Sequence, residues 1–205
     1  MAELTRLHPL EQIEAELAGR NNPSVTITTE PFVAMVDVRL PAGVSGTELL
    51  GTVLPTTPNT WVATAAGRAI WLGPDEWLLT STAHDPEELT DRVREAVRPH
   101  GGAVIDVSAQ RIGVRLTGRR ARDVLAKGCS IDLHPRVFGR GSVAQTTVGQ
   151  AGVILLALSE TGDDFLVLVR SSFAGYLADW LLDAAQEFSA AEATDRATDP
   201  ASNQE

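Results

Sequence analysis

Between residues 30 and 188, short apolar strands and single helices follow one another in nearly the same order twice, and this repetition restricts the fold more than any other feature of the chain. The first series opens with "FVAMVDVRL", a β-branched apolar strand ending near Leu40. "AGVSGTELLGTVLP" then predicts a short helix, capped by Ser45 and stopped at Gly51. Three short strands follow, "TWVATA", "RAIWL" and "EWLLT", divided by Gly and Pro turns. "DPEELTDRVREAV" carries the marks of a helix start, with Asp85 as N-cap, Pro86 at the first helical position and acids in the first turn. Its apolar stripe is Leu89, Val93 and Val97.

The second series begins after the "HGG" break with "AVIDVS" and "RIGVRLTG", then a helix "RRARDVLAKG" closed by Gly128. "SVAQTTV", "GVILLALS" and "DDFLVLVR" read as strands, the last two joined by a Glu160-Thr161-Gly162 turn. The closing helix, "SFAGYLADWLLDAAQEF", places Phe173, Leu177, Trp180, Leu181 and Ala184 on one face. From its second strand onward this series matches the first. The expected fold is therefore α+β, with duplicated β-α-β-β-β-α halves over 21–100 and 101–188 sharing one core. An N-terminal arm or short helix over 1–20, with Leu10, Ile13 and Leu17 at helical spacing, precedes them. The small, polar segment 189–205 is expected to be a disordered tail, because it has nothing apolar to bury against the entropy of ordering.

A chain of 205 residues, 43% of them hydrophobic, can fill such a core without staples. Its net charge of −10 argues against nucleic acid or an anionic membrane surface as partner. Cys129 is the single cysteine, so no intrachain disulfide can form, and four scattered histidines do not fall at zinc-ligand spacing. No apolar run has the length of a signal peptide or a membrane span. A reducing cytoplasm is the expected compartment.

Residue chemistry offers few sites. In "WLGPDEWLLT" a Pro74-Asp75 turn brings Trp71 and Trp77 onto paired strands, either as core or interface tryptophans or as a stacking platform, and no basic groove lies beside them in sequence. "GRGSVA", Gly139 to Ala144, matches a dinucleotide loop in letters but precedes a strand instead of opening a helix. Cys129 stands five residues before His134, a spacing open to a thiolate pair or to a small buried hydrophobe. Asp106 and Ser108 end a strand with no base or metal companion. Arg111, Arg115, Arg119, Arg120 and Arg122 crowd one stretch of an acidic chain, the last three in the first turn of the expected helix, where the dipole disfavours cations. Something negative must answer them: the protein's own carboxylates and solvent, or an acidic patch on a partner. No residue emerges as catalytic, cofactor-binding or metal-ligating.

"WLGPDEWLL", "DVSAQRIGVRLTG", "DVLAKGCSIDLHPRVF" and "LVRSSFAGYLADWL", in that order, resemble the gamma-subunit family of bacterial heterotetrameric sarcosine oxidases, over about residues 30 to 188. The resemblance implies a small subunit of an alpha-beta-gamma-delta flavoenzyme. Such an enzyme oxidises sarcosine to glycine with O2, releases H2O2 and passes the one-carbon unit to tetrahydrofolate. It also implies NAD and folate on alpha, FAD and the FMN linkage on beta, zinc on delta, and no ligand on gamma. The second half is similar as well to the folate-binding aminomethyltransferases, which carry G-x-V-I-D-D-L where this chain has "AGVILLAL". Leu155 and Leu156 replace the acids, and Arg170 stands where an Asn-Ala segment would begin. Leucine can neither take a proton nor bond a pterin, so the resemblance implies a transferase-like fold kept as a structural subunit. The alternatives are a stand-alone folate-binding or aminomethyltransferase-like protein and a binding module of unknown ligand.

Overall fold

The computed structural model describes residues 7–41, 44 and 47–198, and side chains as far as residue 188. Helix α1 (Glu14–Arg20) leads into β1 (Thr26–Glu30) and β2 (Ala34–Arg39). Next come β3 (Glu48–Leu49), β4 (Thr52–Val53), β5 (Trp61–Ala63), β6 (Gly67–Gly73), β7 (Glu76–Ser81) and α2 (Pro86–Val97). The second part runs through β8 (Ala103–Asp106), β9 (Arg111–Thr117), α3 (Ala121–Ala126), β10 (Val143–Val148), β11 (Ala151–Ala157), β12 (Asp164–Arg170) and α4 (Ala174–Thr198).

Two five-stranded antiparallel sheets result, in the orders β5-β6-β7-β2-β8 and β10-β11-β12-β9-β1. Corresponding strands occupy corresponding places except at the last. There the first sheet takes β8 from late in the chain, through the β2 pairing Val36↔Asp106, and the second takes β1 from early, through the β9 pairing Thr26↔Thr117. The expected boundary at 100/101 therefore does not divide the sheets, because each has an edge strand from the other side of it. Gly118 allows the crossing: its φ is 114°, and a Cβ there would lie 2.4 Å from the Ser24 carbonyl oxygen just before β1.

Alternation along the strands sorts side chains into layers. Ala34, Val36, Val38, Trp77 and Leu79 face Leu89, Val93 and Val97 of α2. Leu116, Leu155, Phe165 and Val167 face α1, α3 and α4, burying Leu10, Leu17, Val124, Leu177 and Leu181. Met35, Ile70 and Leu78 of the first sheet meet Ile154, Leu156, Leu166 and Leu168 of the second. The layer order is helix, sheet, sheet, helices.

Four local expectations are corrected. The helix expected from the Ser45 cap to Gly51 gives way at its end to the β3–β4 hairpin, whose two turn residues are Leu50 (φ 51°) and Gly51 (φ 74°). Consecutive positive φ angles make a type I′ turn, so the glycine expected to stop a helix reverses a strand. Ser45 lies outside the described residues. Strand β1, "TITTE", was not expected, since its only buried side chain is Ile27 and it lacks the apolar content that marks a strand. Helix α3 begins at Ala121 with Arg120 as its N-cap, so Arg119 lies before the helix. Helix α4 continues to Thr198, well into the segment expected as a disordered tail, because extending an existing helix avoids the cost of nucleation.

Candidate functional site

Because β2, β7, β9 and β12 alternate, every second residue points into the layer between the sheets, and at both ends of that layer these residues are charged. At one mouth Arg68 Nη1 lies 3.2 Å from Glu30 Oε2, and Arg115 grips Asp164 with two hydrogen bonds, Nε to Oδ1 at 2.9 Å and Nη2 to Oδ2 at 2.7 Å. The hydrogen bonds to Asp164 hold Arg115 above the ordinary guanidinium range. Two cations are answered by two acids along an open cleft of about 640 Å³.

The opposite mouth is built differently. Asp37 of β2 is hydrogen-bonded to Glu76 of β7, and burial, followed by that bond and the Glu76 charge, pushes its carboxyl up to about 6. Below about pH 6 Asp37 is therefore protonated beside Glu76. Arg39 Nη2 reaches Glu76 Oε2 at 2.7 Å. Arg111 and Arg170 stand directly opposite each other on β9 and β12. Burial first, then the Arg170 charge, lowers the Arg111 guanidinium from its ordinary value, while Asp37 and Glu76 pull it the other way. Both arginines line a cleft of about 500 Å³ together with Gln145, Thr147, Gly152 and Phe173. Gln145 ties the sheets there, donating from Nε2 to the Leu72 carbonyl at 2.8 Å.

The arginines grouped by sequence are dispersed by the fold. Arg115 and Arg120 find carboxylates of this chain, Asp164 and, at 2.8 Å, Asp123; Arg119 Nε donates to Ser24 Oγ at 2.9 Å. Arg111 donates to the side-chain oxygen of its neighbour Gln110 and stands opposite a second cation, Arg170. Trp71 and Trp77 are cross-strand partners. Trp77 is buried and donates from its indole N–H to the Pro55 carbonyl at 2.8 Å, as a core tryptophan does. Cys129 is buried among apolar side chains, whereas His134 is exposed and accepts the Arg136 backbone N–H. The Gly139–Ala144 stretch is a turn leading into β10, and the Gly141 carbonyl accepts the Trp61 backbone N–H across the sheets at 2.8 Å. Asp106 and Ser108 form a latch in which Ser108 Oγ donates to Asp106 and accepts the Met35 N–H at 2.9 Å. Leu155 and Leu156 are fully buried, Leu155 toward the helices and Leu156 between the sheets.

The sequence reading missed the Asp37–Glu76 pair and the Glu30–Arg68 pair. Polar residues alternating with apolar ones at Asp37 and Arg39 were the available sign. Among the described residues no three His, Cys, Asp or Glu side chains stand together as a metal-ligand set, and no helix is long and apolar enough to cross a membrane.

Two sheets packed face to face, with helices outside, are found in a known aminomethyltransferase as well. The glycine cleavage system aminomethyltransferase T of Bartonella henselae superposes with a TM-score of 0.57 over 82% of this chain and 48% of its own, at 15% identity, a likeness of fold alone. A chain of the heterotetrameric sarcosine oxidase from Corynebacterium sp. U-96, solved in complex with pyrrole 2-carboxylate, is far more similar: TM-score 0.81, 30% identity, covering 90% of this chain and 96% of that one. The sarcosine oxidase subunit gamma of Corynebacterium sp. (strain U-96) is 36% identical over 183 residues, 87% of this chain and 86% of its own. That of Arthrobacter sp. is 35% identical over 189 residues, 89% and 91% respectively. The profile of the sarcosine oxidase, gamma subunit family matches residues 36–187, and the chain belongs to that family.

Proposed function

We propose that this chain is the non-catalytic gamma subunit of a heterotetrameric sarcosine oxidase, assembled with alpha, beta and delta subunits in the cytoplasm. The assembly oxidises sarcosine to glycine with O2, yields H2O2 and, with tetrahydrofolate, forms 5,10-methylenetetrahydrofolate. FAD, FMN, NAD and zinc belong to the other subunits. The "GRGSVA" stretch leads into a strand and not a helix, and the acids at the mouths of the intersheet layer, Glu30, Glu76 and Asp164, each face an arginine of this chain.

One observation carries the reading. At the strand where the similar transferases present carboxylates, this chain has Leu155 and Leu156, each without solvent exposure and each committed to a different apolar layer. Such positions stabilise a core by roughly 2 kcal/mol per side chain and have no atom to offer a folate. A self-standing aminomethyltransferase would need an acid there.

Expression with and without the neighbouring genes tests the proposal. Recovery in a yellow, four-component particle with flavin absorbance supports it, with turnover lost when this chain is omitted. A stable lone chain that binds folate stoichiometrically refutes it.

A further inference from the structure

The two mouths of the intersheet layer are built from the same strands, yet only one is neutralised from within. At the Glu30 mouth Arg68 and Arg115 each hold an acid of this chain within 3.2 Å. At the other, Arg111 and Arg170 face each other across β9 and β12, and among the described residues no carboxylate lies within ion-pair distance of either. The nearest acids, Asp37 and Glu76, both lie within ion-pair distance of Arg39, at 3.9 and 2.7 Å, and among the described residues Arg111 has only the neutral Gln110 side-chain oxygen to donate to. Two like charges side by side, one of them half-buried, raise the energy of the isolated chain; a carboxylate between them relieves it through charge-assisted, two-pronged hydrogen bonds.

The surroundings of the pair favour an anion from outside. Helix α4 starts four residues after Arg170, and neither it nor the turn before it has an acid in its first turn, where the dipole would welcome one. Phe173, which lines the cleft, is 43% exposed and meets Tyr176, 40% exposed, edge to face at 6.3 Å between ring centroids. Exposed aromatics beside arginines are the composition of binding hot spots.

We propose that the Arg111–Arg170 cleft seats a carboxylate-bearing segment of a partner subunit, with Phe173 and Tyr176 as the apolar rim of the contact. This rests on the subunit reading above, and supplies the anchor through which the chain is held in the particle.

The test carries Arg170→Glu, or the milder Arg170→Gln, in the chain co-expressed with its partner subunits. Retention in the particle is followed by gel filtration as salt is raised, and the full-length variants are compared by circular dichroism and thermal melting. The expected result is a charge-reversed chain released about thirtyfold more readily, the Gln variant intermediate, and both as well folded as wild type. Should Arg170→Glu fail to fold, Arg170→Gln decides alone. Variants that fold normally and stay bound with wild-type salt tolerance overturn the inference while leaving the subunit reading intact. Sulfate stabilising wild type but not Arg170→Gln, with retention unchanged, also overturns it, in favour of a small-anion site. A wild-type chain that enters no particle refutes the subunit reading itself, and this inference with it.

Discussion

Replacing Asp37 by Asn should make the protein more stable at neutral pH. In the folded chain Asp37 holds its proton to about pH 6, against 3.8 for an ordinary aspartate, because it is buried and bonded to Glu76. Protonation therefore favours the fold: the contribution is full below about pH 3.8 and is lost as pH rises through about 6. That interval corresponds to roughly 3 kcal/mol between the two protonation states. The side chain keeps 23% exposure, and solvent screening reduces the figure to about 1–2 kcal/mol. Asn mimics the protonated acid, donates to Glu76 at every pH and has no proton to lose. Urea unfolding of wild type and Asp37→Asn, between about pH 4 and about pH 7.5, should show a difference near zero at the acid end. The difference should grow to about 1–2 kcal/mol in favour of the variant at the neutral end. Glu76→Gln should reduce the same slope and leave the part that burial causes. A stability difference that does not change with pH would refute the raised Asp37 carboxyl.

Leu155→Asp, which restores an acid to the strand, should cost about 4 kcal/mol or more by charging a fully buried position, and should yield no folate complex by isothermal titration. Gly118→Ala should lower stability by about 2–3 kcal/mol in chemical denaturation, since a Cβ at φ 114° meets the Ser24 carbonyl at 2.4 Å. Cys129 is 8% exposed, so its reaction with an aromatic disulfide reagent should be slow in the native protein and should accelerate in step with added urea.

How legible the fold was in the sequence depended on where the information lay. Helix α2 was fully written locally: Asp85 does accept the Glu88 N–H at 2.9 Å, Pro86 begins the helix, and Leu89, Val93 and Val97 are buried. The buried strands β11 and β12 declared themselves by continuous apolar runs, both faces being covered. Strand β1 did not, because it is an edge strand whose place is fixed by pairing with residues far along the chain. The β3–β4 hairpin was hidden by helix-compatible residues around a glycine that suits either a helix stop or a tight turn. At the mouths, the arginines were visible as a cluster, but which of them would meet an acid depended on strand order. Arg115 and Asp164 are 49 positions apart, and the register that joins them is not encoded in either neighbourhood.

The exchanged edge strands also set a schedule for the newborn chain. The first sheet lacks its last strand until β8 has left the ribosome, and β1, made among the first, has no partner until β9 follows. Throughout that wait β1 exposes an unpaired backbone of the kind that invites aggregation. Its composition limits the hazard: three threonines and a glutamate surround Ile27, so the strand that must wait longest is also among the least sticky.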